Sequence, residues 1–303
     1  MDSGVNMLCF TASYAIALAL EVMGLWFRPA WRRVAVLLAT GAGIVAHTWY
    51  LAQRALQSPW APLSSPHDWY LAAAWVLAVV VVARTFYQPR SATGLFLLPV
   101  TLGLSTMAWP ASTEPIASFE APRVWSLVHG VFLMLGTVAV VLGFVAGLMY
   151  LLQSRRLKRK EPADVRFRLP SLEWLERVNS RSLAAAAALV GVGFVTGVLA
   201  RLATVDGEVP WTDPVVLSLS GMLSWLVAAE AFRLAYPAAR RGRKVAYLTL
   251  AGFVFLVFTL AAFLSDDGVH GQRPAARREP PQPPANAPAA GRPEPGRLPG
   301  GAP

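Results

Sequence analysis

Apolar stretches long enough to cross a bilayer recur through most of this chain, and that recurrence limits its fold more than any other feature. A hydrocarbon core of roughly 30 Å takes about 20 residues of α-helix. Apolar runs extend from Met7 to Phe27, Val34 to Leu56, Trp69 to Tyr87, Gly94 to Trp109, Val124 to Leu152, Leu183 to Leu202, Val215 to Tyr236 and Val245 to Leu264, the fourth being short. Strands of a membrane barrel would read as alternating segments of about ten residues. These blocks are continuous and rich in Ala, Leu, Val and Gly, so their backbone must be satisfied inside helices. The expectation is an all-α, polytopic membrane helical bundle of about eight transmembrane helices.

The charges agree. Only 15% of the residues are charged, against about 25% in an ordinary soluble domain. A formal charge of +10 would fit a nucleic-acid partner if it formed one face, but here it sorts by loop. Arg28, Arg32 and Arg33, then Arg84 and Arg90, then the run from Arg155 to Arg181, then Arg240, Arg241, Arg243 and Lys244 follow alternate spans. The opposite loops carry only Arg54, Arg123 and Arg201, beside Asp68, Glu114, Glu120, Asp206, Glu208 and Asp213. By the positive-inside rule the basic loops are cytoplasmic and both termini face outward. No nucleic-acid partner is expected; membrane lipids are.

The opening "MDSGVN" has no basic region, so the first run reads as a span and not as a cleaved signal peptide. The single cysteine, Cys9, excludes an internal disulfide framework and CxxC chemistry. No phosphate loop, dinucleotide fingerprint or nucleophile elbow occurs, which leaves no basis for soluble-enzyme chemistry. Residues 1–265 form the membrane domain. From 271 to 303 Pro, Ala, Gly and Arg dominate, a composition that predicts a disordered tail. Between Ser154 and Ser182 lies the one long cytoplasmic segment. Its "RRLKRK" start reads as a topology determinant attracted to anionic lipid. Its "LPSLEWLERVNSRS" part reads as a short interfacial helix capped by Ser171, with Leu172, Leu175 and Val178 on one side.

Four histidines, His47, His67, His129 and His270, all fall toward the outward face. His47 lies in the outer third of the second span, and His129 about 8 Å of helix rise inside the fifth. His67 lies in the loop before the third span, where a solvated side chain is expected, and His270 follows the last span. Ionisable groups within spans are candidates for function, the alternative being an imidazole bonded to a neighbouring helix's carbonyl. Imidazole pairs ligate haem iron, and an apolar slot between helices suits a porphyrin. Zinc or copper also suits imidazole, but the tight ligand spacing of a closed site is absent. Trp49, Trp60, Trp69, Trp109, Trp125 and Trp211 cluster on the same side, as an interfacial belt or as a stacking platform. Glu21, Glu230 and Arg233 lie near inner helix ends, the last two spaced for a local ion pair.

Four stretches resemble the membrane haem-handling proteins of cytochrome c assembly, in particular their eight-span CcsA-like, HemX-type branch. They are "ATGLFLLPVTLGL" with Pro99, "VWSLVHGVFLMLGTVAVVLGFVAGLMYLLQSRRLKRK", "LPSLEWLERVNSRSLAAAAALVGVGFVTG" and "GRKVAYLTLAGFVFLVFTLAAFLSDDGVHG". The likeness covers roughly residues 30 to 271. In that family two outward histidines flank a tryptophan-rich loop and ligate haem; by position these resemble His129 and His270. An earlier, intramembrane histidine of the family corresponds to His47. The family's loop ends in Trp-Asp-Pro-Lys-Glu, whereas this chain has only "TVDGEVPWTDPVVLS". Trp211, Asp213 and Pro214 remain, and Val215 and Val216 stand in place of Lys-Glu. Trp211 and Asp213 then read as haem-contacting residues, or as an interfacial Trp followed by an N-cap Asp and a first-turn Pro.

The resemblance implies a bacterial cytoplasmic-membrane protein that binds haem b and assists cytochrome c biogenesis. His129 and His270 would be the iron ligands. It would be an accessory and not a self-sufficient catalyst, with a second assembly membrane protein and apocytochrome c as partners. The rival readings are a haem-free regulator or scaffold of haem-biosynthesis enzymes, acting through its basic loop, and a small-molecule transporter.

Overall fold

The computed structural model describes residues 7–27, 29–57, 63, 65–88, 91–114, 123–160, 168–203, 209, 211–236 and 243–262. Among them are eight α-helices: α1 (Met7–Met23), α2 (Arg32–Gln57), α3 (Pro66–Tyr87), α4 (Thr93–Met107), α5 (Arg123–Lys158), α6 (Leu172–Leu202), α7 (Pro214–Ala235) and α8 (Arg243–Ala262). No strand occurs among the described residues. Six helices are long and apolar enough to span a membrane, while α1 and α4 are shorter apolar helices. This is a polytopic membrane bundle. The tail from 271 and His270 lie outside the described residues.

Local chemistry sets several boundaries. Ser65 accepts from Asp68 N at the start of α3, and Pro66 occupies the first helical turn, where a missing N–H costs nothing. Asp213 and Pro214 do the same for α7, and Ser171 caps α6 by accepting from Trp174 N. Each such cap contributes about 1 kcal/mol.

The helices form two groups of four. In the first, α1 packs on α2 and α4, and α3 on α2 and α4; in the second, α5 packs on α6 and α8, and α7 on α6 and α8. The groups meet where α3 packs on α5 and where Tyr70 Oη donates to Leu260 O at 2.7 Å. Lipid tails are as apolar as leucine, so close packing and polar contacts drive helix association in a bilayer. The α5–α6 pair, the most extensive in the protein, shows both. A methyl group added at Gly193 would lie 2.6 Å from Leu133 Cδ2 and 3.1 Å from Leu133 N. Only a glycine lets the two backbones approach so closely.

Alternation of direction puts His47, His67 and His129 at one end of the bundle, the histidine end, and the arginine-rich loops at the other, the basic end. There Arg32 Nη1 donates to Glu21 Oε2 at 2.9 Å, and Arg233 pairs with Glu230 through Nε at 2.8 Å. A third polar contact knits α5, α6 and α8. The Asn179 amide, oriented by its partners, donates to Thr249 Oγ1 at 2.9 Å and Gly143 O at 3.0 Å, and accepts from Ala246 N at 3.2 Å. That last N–H belongs to the first turn of α8, so the amide ties α6 to the main chain at the start of that helix.

Two expectations change in detail. The stretch beginning at Leu172 is not a separate interfacial helix. It is the first part of α6, which runs 31 residues without a break, with Leu175 fully buried. At the same end α5 continues to Lys158, so its 36 residues reach about 54 Å, well beyond a bilayer core of about 30 Å.

Candidate functional site

His129 lies near the start of α5, half-buried, and its Nδ1 is 2.6 Å from the carbonyl oxygen of Gly193 on α6. A carbonyl only accepts, so Nδ1 carries the proton and Nε2 the lone pair. A carbonyl, carboxylate or water that accepts from the other ring nitrogen is what orients metal-ligating imidazoles. Gly197, one turn further along α6, makes room for the ring: a methyl there would lie 2.6 Å from His129 Nδ1. Trp125, four residues before His129 and so on the same face of α5, is exposed. Leu63, before α3, is within 3.6 Å of where a side chain on Gly130 would begin, which draws the α2–α3 connection to the same spot.

His47 is different. It is 0% exposed, stacked on Phe10 of α1 with ring centroids 4.1 Å apart and planes 2° from parallel. Its Nδ1 is 3.2 Å from Tyr14 Oη, and its Nε2 is buried with no partner among the described residues. The pair contains two donors, an N–H and an O–H, and makes one hydrogen bond, so one donor is left over whichever tautomer is present. A free imidazole nitrogen is the right donor for a metal. The sealed surroundings of His47 nevertheless give a porphyrin no access in this conformation.

His67 is not a solvated loop residue. It sits in the first turn of α3, 3% exposed, because Ser65 and Pro66 start a helix where the sequence reads as a loop. Its Nδ1–H donates to Ala108 O at 2.8 Å and its Nε2 accepts from Tyr50 Oη at 3.2 Å. Tyr50 in turn lies against Phe10, centroids 5.7 Å apart, so Phe10 and Tyr50 join His47 to His67. The His67 backbone N–H donates to Ser112 O at 3.2 Å, and Arg54 bonds Asp68 and Thr113 O. Together these bonds clasp residues 108–113 against the start of α3.

Asp213 is buried, its Oδ1 accepting from Val215 N at 2.8 Å and Val216 N at 3.3 Å. That carboxylate is an N-cap. Trp211 is 56% exposed, as are comparable fractions of Trp49 and Trp109, in keeping with a belt at a membrane surface. Among the described residues no three His, Cys, Asp or Glu side chains gather as a metal-ligand set, so a metal here would be met by separate imidazoles.

Sequence reasoning missed Phe10, Tyr14, Tyr50, Gly193 and Gly197. A signal existed for some of them. Phe10 and Tyr14 are four apart and share a helix face, as His47 and Tyr50 do at a spacing of three; which faces meet depends on tertiary packing.

A family model described as cytochrome C assembly protein matches residues 63–270. The match includes His67, His129, Trp211, Asp213 and His270, and leaves out His47. An uncharacterized 28.8 kDa protein of Azospirillum brasilense is 30% identical over 195 residues, which is 63% of this chain and 69% of that one. A cytochrome c biogenesis protein CcsA of Gloeobacter violaceus is 29% identical over 170 residues, 52% of this chain and 49% of the relative, so the chain spans about half of its length. A CcsA of Guillardia theta is 20% identical over 265 residues, 79% of this chain and 87% of the relative. No solved structure matches.

Proposed function

The chain belongs to the cytochrome c assembly protein family, and from that premise we propose that it is a membrane haem-handling protein that holds haem b as cargo at its outward histidine end. The observation that carries the reading is the bond from His129 Nδ1 to Gly193 O, which fixes the orientation and tautomer of a half-buried imidazole at the histidine end of a helix pair. As cargo, haem offers an iron that accepts axial imidazole nitrogens and a flat apolar ring.

The residues of this chain supply the rest. His129 would hold the haem iron through Nε2, its tautomer set by Gly193 and its ring seated beside Gly197. His270, from the segment after α8, would give the second nitrogen. Trp125, on the His129 side of α5, and the exposed Trp211 ahead of α7 would offer aromatic faces to the ring, while Asp213 holds the start of α7. His47 is a secondary ligand that needs α1 to shift before its Nε2 is reachable. Delivery to an apocytochrome falls to a partner membrane protein, and the site faces the outside of a bacterial cytoplasmic membrane. Deleting the gene should reduce covalently attached haem in membrane c-type cytochromes, and re-expression should restore it. Unchanged haem staining in the deletion strain would contradict the role.

One observation favours a second reading, a haem-free scaffold or regulator. The last turns of α5 carry Arg155, Arg156 and Lys158 beyond the apolar span on a continuous helix. Under that reading, reversing the charge of Arg155, Arg156, Lys158, Arg159 and Lys160 abolishes function while His129→Ala does not.

A further inference from the structure

Arg84 lies in the last turn of α3 at the basic end and is half-buried. Its guanidinium carbon is 4.0 Å from the ring centroid of Trp174, in the first turn of α6. Nη2 donates to Gln88 Oε1, but the Nε–H is buried and has no acceptor among the described residues. No carboxylate pairs with Arg84 among the described residues. Three other partly buried arginines do have one: Arg32 pairs with Glu21, Arg54 with Asp68 and Arg233 with Glu230. A guanidinium partly withdrawn from water with no counter-charge is costly, so this position calls for an anion.

The surroundings favour one. Arg33 Nη2 donates to Phe86 O at 3.0 Å, two residues from Arg84, and Ala92 N donates to Arg168 O at 3.0 Å, which brings the chain leading into α6 alongside the α3–α4 turn. In the same first turn of α6, Glu173 is exposed and pairs with Arg177 at 3.5 Å. Depth identifies the source of the anion. The 22 residues of α3 span about 33 Å, matching a hydrocarbon core of roughly 30 Å. Arg84 is therefore at the level of the lipid phosphates, where Trp174 is also at home. We propose that Arg84, stacked on Trp174, forms a binding site for the headgroup of an anionic phospholipid. Its phosphate accepts from the guanidinium. The arginines alongside disfavour a zwitterionic headgroup, whose ammonium they repel. The inference is independent of the haem reading.

The test uses the full chain purified in detergent, with phosphatidylglycerol, phosphatidylcholine or soluble glycerol phosphate added. Lipid retention is read by native mass spectrometry and stability by the thermal midpoint. Phosphatidylglycerol should be retained and should raise the midpoint, and phosphatidylcholine should do neither. Arg84→Gln should weaken retention by about tenfold or more, the loss of one charge-assisted contact, while Arg177→Gln behaves as wild type. If Arg84→Gln does not fold, Arg84→Lys keeps the charge but loses the planar stack, and the same weakening is expected. Equal retention of both lipids, wild-type retention by either Arg84 variant, or a midpoint raised as much by glycerol phosphate as by the lipid would overturn the assignment.

Discussion

The Nδ1–H of His129 on α5 is held by the main-chain oxygen of Gly193 on α6 at 2.6 Å. The bond ties a titratable side chain to the most extensive helix pair among the described residues, and Gly193 serves both roles. Its missing side chain lets α5 approach, and its carbonyl sets the imidazole. Any change in the separation of these helices must therefore move the Nε2 lone pair.

Gly197→Ala tests that dependence. The added methyl would lie 2.5 Å from His129 Cε1, so the ring must leave its place. Haem content of the purified variant should fall toward that of His129→Ala. Gly191→Ala, whose methyl would meet only Leu223 Cδ1 at 3.7 Å, should match wild type. Full haem content in Gly197→Ala would mean that the position of the ring is not critical.

The sealed pair of His47 and Tyr14 makes a prediction about stability. Tyr14→Phe removes the one hydrogen bond made by the imidazole among the described residues and should destabilise by about 1–3 kcal/mol, the cost of an unsatisfied buried polar group. Combining it with His47→Leu should recover much of that loss, since both partners are then apolar. Strictly additive shifts in a double-mutant cycle of thermal midpoints in detergent would show that the two residues are not coupled.

His67→Phe should release the segment after α4. Losing the bond to Ala108 O loosens the clasp, so amides of residues 108–113 should exchange hydrogen faster, with the centre of α3 unaffected. Unchanged exchange would identify the imidazole as incidental.

Asn179→Leu strips a partner from the first turn of α8 and from Gly143 O. A loss of about 2 kcal/mol or more is expected from the three buried hydrogen bonds that tie α6 to α5 and α8, with the spectrum of any bound haem unaltered because Asn179 lies at the basic end. A spectral change would indicate coupling along α6.

Much of the bundle was legible because the bilayer enforces long apolar runs, and the starts of α6 and α7 were legible because Ser171 and Asp213-Pro214 carry capping chemistry. The start of α3 was misread for a definable reason. Pro66 looks like a break, yet after Ser65 it is a first-turn proline. The segment from Leu172 looked separate from the span after it because polarity changes near Leu183. Nothing there interrupts a helix, and Asn179 and Ser182 are buried by neighbouring helices. The histidines were visible as ionisable groups in apolar runs, whereas the Gly193 partner lies 64 residues from His129, a separation at which only tertiary packing brings groups together.

The most direct test of the central claim is the dithionite-reduced minus oxidised absorbance spectrum of the detergent-purified protein, with His129→Ala beside wild type. A Soret band and sharp reduced α and β bands in wild type, weakened in the variant, is the predicted result. A haem-free wild type after expression with a haem precursor, or a variant with the same spectrum as wild type, would contradict it.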